Sequence, residues 1–224
     1  TATIVWNLIM ARYPQMRWDY TGLVAATDPF GGHYDVLPAV WAAAHTTQFA
    51  QPGFQILPVG HGSGYLKHGG TYVSYVGPAG EITIVVEKMD VNKSRCERGE
   101  RNAAQQQVTA AERATFAVSF PGASGLSFHS LSVWKSNFGM EPYSSSGEHL
   151  FQQAQNVPVV DGHVSIELLP NWAYTLTTVT SGNKGVTTPP PTGHFPLTYI
   201  DDFELCDLSH IPKYVAPMSG SFDC

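Results

Sequence analysis

The chain has 224 residues, with 12 Lys plus Arg against 18 Asp plus Glu, a net charge of −6 and only 13% charged residues. An acidic balance disfavours nucleic acid, whose binding rests on cationic contacts to phosphates, and no apolar run reaches the roughly 18 residues that would span a membrane. The length allows one large or two modest domains. The cysteines Cys96, Cys206 and Cys224 stand too far apart for a zinc site. Their odd number points to at least one disulfide partner outside the chain.

In chain order, residues 2–8 and 22–27 are short apolar runs without alternation, as buried parallel strands are. Trp6 and Asn7 end the first run, and Asp28 to Tyr34 follow the second. A helix is predicted over residues 40–49, favoured by the Ala42-Ala43-Ala44 run. Strand, loop and helix make the repeating unit of a β/α barrel, which builds its site at the strand ends. Two units cannot close a barrel of about 250 residues. The chain is therefore expected to be a piece of a longer protein, or to take further strands from a partner chain. Within residues 8–17, Leu8, Ile9, Met10 and Tyr13 could form a helical stripe, cut short by Pro14. Pro52-Gly53 ends the helix and marks a domain boundary.

Beyond residue 53 the pattern changes to short strands, predicted at 54–59, 65–76, 81–88, 114–120, 131–136, 149–155, 163–169 and 174–180. Ile82, Ile84 and Val86 alternate with polar or smaller neighbours, as do Phe116, Val118 and Phe120, and Val164, Ile166 and Leu168. Such alternation turns one face to a core. Residues 77–80 and Asp161-Gly162 are turn chemistry. The sum is an antiparallel sandwich. Residues 99–112 read as a loop or short helix, and 187–193 as a stiff Pro-rich linker.

Chemistry read from spacing alone is sparse. A glycosidase needs two carboxylates flanking the bond to be cut. Asp28 stands at a strand end and could be one, although an Asp before Pro29 more commonly turns the chain. Glu87 is expected to face solvent. His33, His45, His61 and His68 lack metal-site spacing and read as loop or buried, hydrogen-bonded histidines. Residues 60–64 are Gly-rich without the Lys-Ser/Thr of a phosphate loop, and no nucleophile elbow occurs. Trp6 has two readings. An indole at a strand end can stack on the apolar face of a sugar, or it can belong to the core. Asn92-Lys93-Ser94 matches a glycosylation sequon. No cofactor or metal site is assigned.

Several blocks carry a resemblance: Ile4-Val5-Trp6-Asn7-Leu8, Asp28-Pro29-Phe30, Ala44-His45-Thr46-Thr47-Gln48-Phe49, Leu131 with Val133-Trp134, Tyr174-Thr175-Leu176-Thr177-Thr178, and Gly182 with Lys184-Gly185. Together they resemble the galactosylceramidase family, glycoside hydrolase family 59, collinearly over almost the whole chain. The likeness fades between residues 101 and 130 and after 204.

The resemblance implies a mainly β chain with an α/β portion: the last two β/α units of a TIM barrel at 1–51, an antiparallel β-sandwich at 52–186, and a linker with the start of a lectin-like domain at 187–224. It implies a retaining hydrolase that removes β-linked galactose from galactosylceramide-type glycolipids, lysosomal or secreted. Both catalytic glutamates are expected N-terminal to Thr1, so no catalytic residue is assigned here. Trp6 matches a tryptophan lining the galactose pocket, and Arg98 an arginine reaching from the sandwich to the sugar hydroxyls. Cys96 matches a cysteine bridged to the barrel. Asp28 and Phe30 stand where the family has Glu and Trp. Expected partners are the galactolipid or another β-galactoside, the remainder of the polypeptide and a lipid-presenting protein. The alternatives are a carbohydrate-binding sandwich without activity, or a β-galactosidase acting on non-lipid glycans.

Overall fold

The computed structural model describes residues 8–11, 22–26, 28, 30–89, 110–118, 128–139, 147–185 and 188–204. The chain divides into two compact units, residues 1–35 with 188–224, and residues 36–187.

In the first unit, β1 (Ile9–Ala11) and β2 (Val24–Ala26) pair in parallel, Ile9 opposite Val24 and Ala11 opposite Ala26. With β3 (Asp35–Val36) they form a sheet in the order β1-β2-β3. Parallel neighbours need a crossover between them rather than a tight turn. Ile9 to Ala11 are extended rather than part of a helical stripe, which corrects that expectation. An apolar run this short fits either period, and the ladder to β2 decides it. Of residues 2–8, only Leu8 lies within the described residues.

The second unit opens with α1 (Pro38–Thr47), shifted toward the N-terminus from its expected start at residue 40. Pro38 sits in the first turn, where a missing N–H costs nothing. Then come β4 (Gln55–Ile56), β5 (Gly64–Tyr65), β6 (Thr71–Val76), β7 (Ile82–Lys88), β8 (Glu112–Ala117), β9 (Ser130–Asn137), β10 (Gln152–Val160), β11 (His163–Leu168) and β12 (Trp172–Thr177). All pair antiparallel in the order β4-β6-β7-β12-β9-β10-β11-β8, with β5 on β6.

The expected strand over 65–76 is in fact two strands. Gly69 and Gly70 take positive φ between them, and a Cβ on Gly70 would run into the Glu87 carbonyl. β10 outruns its expected end at Gln155. It follows β9 to Pro158, shifts register between Ala154 and Val157, then pairs with β11 through Val159 and Val160. Pro158 is tolerated at this irregular transfer, where a ladder bond can be forgone.

One strand thus serves two layers. Ile82, Ile84 and Val86 of β7, Val133 of β9 and Leu176 of β12 meet Phe116 of β8 and Val164, Ile166 and Leu168 of β11 in a single core. The opposite face of β9 and β12 is covered as well. Trp41, Ala44 and Phe49 from α1 and its exit pack on Trp134, Phe151 and Ala173. Phe151 stacks on Trp134 at 4.6 Å and on Trp41 at 5.9 Å. β12 is therefore buried on both faces and loses the alternation of a half-buried strand.

Candidate functional site

The chain leaves β2 through residues 28–34, the strand end at which a β/α barrel builds its site. Asp28 Oδ1 accepts from the backbone N–H of Phe30 at 3.1 Å and of Gly31 at 3.2 Å, so the carboxylate shapes the turn. Gly193 donates to the Gly31 carbonyl at 2.8 Å, and a side chain on Gly31 would press on Asp28 and on the Gly193 carbonyl. His33 donates through Nδ1–H to the Pro190 carbonyl at 2.9 Å, since a carbonyl only accepts. Its Nε2 lies 3.8 Å from Asp35 Oδ1. The Pro-rich stretch is thus fastened to the β2 exit.

Aromatic rings gather beside it. Phe30 meets Phe195 edge to face at 5.5 Å, and Phe195 meets Tyr199 at 5.7 Å. Tyr199 donates its hydroxyl to Asp201 Oδ2 at 2.6 Å, which holds the Asp201 carboxyl below its ordinary range, with help from the Phe203 N–H. Ring faces beside carboxylates suit polyhydroxylated ligands, whose C–H faces are apolar and whose hydroxyls donate.

In the second unit, an ion pair stands at core-facing positions. Lys88 continues the inward set Ile82, Ile84 and Val86, and Glu112 opens the inward set Ala114, Phe116 and Val118. Their side chains are 0% and 8% exposed, with Lys88 Nζ 3.3 Å from Glu112 Oε1. Lys88 also donates to the carbonyls of His68 at 3.3 Å and Gly69 at 3.2 Å. Glu112 Oε2 accepts the His68 N–H at 2.9 Å. A cleft of about 480 Å³ opens alongside, lined by Tyr65, His68, Tyr72, Glu112, Arg113 and Thr115 among others. A lysine at a strand end reads as solvated. The phase of the alternation is the signal that would have turned it inward.

Trp6 and Arg98 lie outside the described residues, as do Cys96, Cys206, Cys224 and the sequon at 92–94. His45 is 1% exposed and hydrogen-bonded, and Glu87 faces solvent, both as read from the sequence. Among the described residues, no three His, Cys, Asp or Glu side chains are grouped to hold a metal.

Family models match both parts of the chain. One described as the glycosyl hydrolase family 59 central domain covers residues 59–183, and one described as glycosyl hydrolase family 59 covers residues 1–48. The chain belongs to glycosyl hydrolase family 59. Its relatives in that family include the galactocerebrosidase of Salmo salar, 34% identical over 100% of this chain and 32% of that protein. The galactocerebrosidase of Homo sapiens is 36% identical over 92% of this chain and 28% of that protein. The chain therefore spans about a third of the length of the family 59 relatives it matches. Among solved structures, the catalytic domain of GH30 xylanase C from Talaromyces cellulolyticus superposes with a TM-score of 0.45 at 16% identity, over 71% of this chain and 28% of that one.

The blocks of the family 59 resemblance meet in space within the second unit. His45 and Gln48 of the block at 44–49 reach Thr175 of the block at 174–178 and Asn183, which stands between Gly182 and Lys184. Gln48 accepts the Asn183 N–H at 2.7 Å and donates to its carbonyl at 2.8 Å.

Proposed function

We propose that this chain is part of a retaining glycoside hydrolase that removes β-linked galactose from galactosylceramide-type glycolipids. The observation that carries the reading is 34% identity over 100% of the chain to a galactocerebrosidase. Residues 1–51 would be the closing part of a β/α barrel, 52–186 the sandwich, and 187–224 a linker with the start of a lectin-like domain. The remainder of the polypeptide would carry the two glutamates, in a lysosomal or secreted protein served by a lipid-presenting partner.

In that reaction one carboxylate attacks the anomeric carbon while the other protonates the leaving oxygen, and water then releases galactose. This chain supplies positioning. Trp6 gives the sugar an apolar wall, and the Arg98 guanidinium, all donors and no acceptor, holds hydroxyl oxygens. Contacts that tighten as the ring flattens raise kcat as well as affinity.

The test is hydrolysis by the full-length protein of galactosylceramide and of a soluble aryl β-galactoside. Lipid hydrolysis supports the reading, hydrolysis of the aryl substrate alone shifts it to a non-lipid β-galactosidase, and activity on neither overturns it. Trp6→Ala and Arg98→Ala are expected to raise KM or lower kcat with the melting temperature nearly unchanged. A large loss of stability instead would assign both side chains to structure.

A further inference from the structure

We propose that the cleft between the β5–β6 turn and β8 binds a saccharide, and that this saccharide carries a negative group. Its volume of about 480 Å³ lies within the roughly 300–1,000 Å³ of small-ligand sites. Tyr65, Lys67 and His68 stand on one wall, Arg113 and Thr115 on the other. The walls are fastened to each other behind the opening. The His68 N–H donates to Glu112 Oε2 at 2.9 Å, and Lys88 Nζ lies 3.3 Å from Glu112 Oε1. The same ammonium donates to the His68 and Gly69 carbonyls. An opening held by buried groups is already in shape before a ligand arrives, which spares the cost of ordering it.

The aromatic side chains suit a sugar ring. Tyr72 meets the buried Phe116 edge to face at 5.2 Å. It also lies against the backbone of Gly64, where a Cβ would come within 3.1 Å of the Tyr72 hydroxyl. Tyr65 is 60% exposed. A tyrosine offers an apolar face to the C–H side of a pyranose and keeps a hydroxyl for its polar edge.

Charge decides the class of sugar. Among the described residues lining the cleft, Glu112 is the one carboxylate. Its oxygens are turned to the Lys88 ammonium and the His68 N–H, so its charge is already answered from within the protein. Lys67 and Arg113 are exposed, and neither has a hydrogen-bond or ion-pair partner among the described residues. Glu167 stands opposite Arg113 in the β8–β11 ladder without forming an ion pair with it. Two unpaired cations thus flank the opening in a chain whose net charge is −6. A carboxylate or sulfate is the group that a guanidinium fork and an ammonium hold best. A neutral glycan would use neither charge.

The experiment titrates the full-length protein by calorimetry with methyl β-D-glucuronoside, methyl β-D-galactoside 3-sulfate, neutral methyl β-D-galactoside and inorganic sulfate. At least one anionic sugar is expected to bind about tenfold or more tighter than the neutral sugar and than sulfate, as charge-assisted hydrogen bonds allow. Added salt should weaken that binding. Lys67→Ala, Arg113→Ala and Tyr65→Ala, all at exposed positions, should each weaken it by roughly fivefold or more with the melting temperature held. Binding of neither anionic sugar, or binding that all three replacements leave unchanged, overturns the proposal. So does sulfate binding as tightly as the sugars, which would leave an anion site without a saccharide. Displacement by free galactose, the product of the proposed hydrolysis, would assign the binding to the pocket of that reaction and overturn the proposal too. A protein that hydrolyses no galactoside yet holds an anionic sugar through these residues would sink the hydrolytic reading and leave this one standing.

Discussion

The His45 ring donates through Nδ1 to the Thr175 hydroxyl at 2.8 Å, and that hydroxyl donates back to the His45 carbonyl at 2.8 Å. The direction follows from the proton count. A carbonyl only accepts, so the Thr175 proton is spent there and its oxygen must receive the Nδ1–H. Nε2 is then the acceptor for the Ser136 hydroxyl at 2.7 Å, and Ser136 Oγ in turn accepts the Phe151 N–H at 2.7 Å. A neutral imidazole closes every bond of the network. Thr175→Val keeps the shape and strands both the Nδ1–H and the carbonyl of His45. It is expected to cost about 2–4 kcal/mol, one to two unsatisfied buried groups, measured by urea unfolding.

The same histidine makes stability depend on pH. Burial pushes its pKa down from 6.5 to about 4. Between those values the unfolded chain binds a proton that the folded one refuses. Stability from this group is complete above 6.5 and is lost as pH falls toward 4, by about 3 kcal/mol in all. Urea midpoints taken across that window should fall more steeply for the parent protein than for His45→Gln.

Gly182 presses on aromatic rings. A methyl there would overlap the edge of Phe49 and come within 3.1 Å of Trp134. Phe49 is fully buried and cannot withdraw. Gly182→Ala should destabilise by about 1–3 kcal/mol, the usual penalty for overpacking, and should show as a lowered melting temperature.

Asp28 separates a turn from a catalytic role. Its Oδ1 serves two backbone donors, and Asn offers the same oxygen without the charge. Asp28→Asn should leave both stability and hydrolysis by the full-length protein close to the parent values. Asp28→Ala should cost about 1 kcal/mol, as loss of a capping oxygen does. Loss of hydrolysis in Asp28→Asn with the melting temperature unchanged would contradict the turn assignment.

Much of the sandwich was legible because its strands are buried on one face. Ile82, Ile84 and Val86, and Val164, Ile166 and Leu168, announced themselves by alternation, and all are core residues. What hid from the sequence depends on distant partners. Ile9 to Ala11 became a strand through pairing with β2, and β10 passed Pro158 because β11 was there to receive it. Of the residues expected to touch substrate, Trp6 was singled out by its place at the end of an apolar run and Arg98 by resemblance alone, and both lie outside the described residues. Lys88 with Glu112 emerges only once both alternations are phased against a common core.

The packing of α1 bears on how the protein should be divided for study. A recombinant piece starting at residue 54 respects the Pro-Gly break visible in the sequence, yet it would strip Trp41, Ala44 and Phe49 from the sheet and leave Trp134, Phe151 and Ala173 bare. It would also deprive Thr83 of the Phe49 carbonyl to which it donates at 2.8 Å. Such a piece is expected to aggregate, whereas one beginning at residue 36 would carry its own cover.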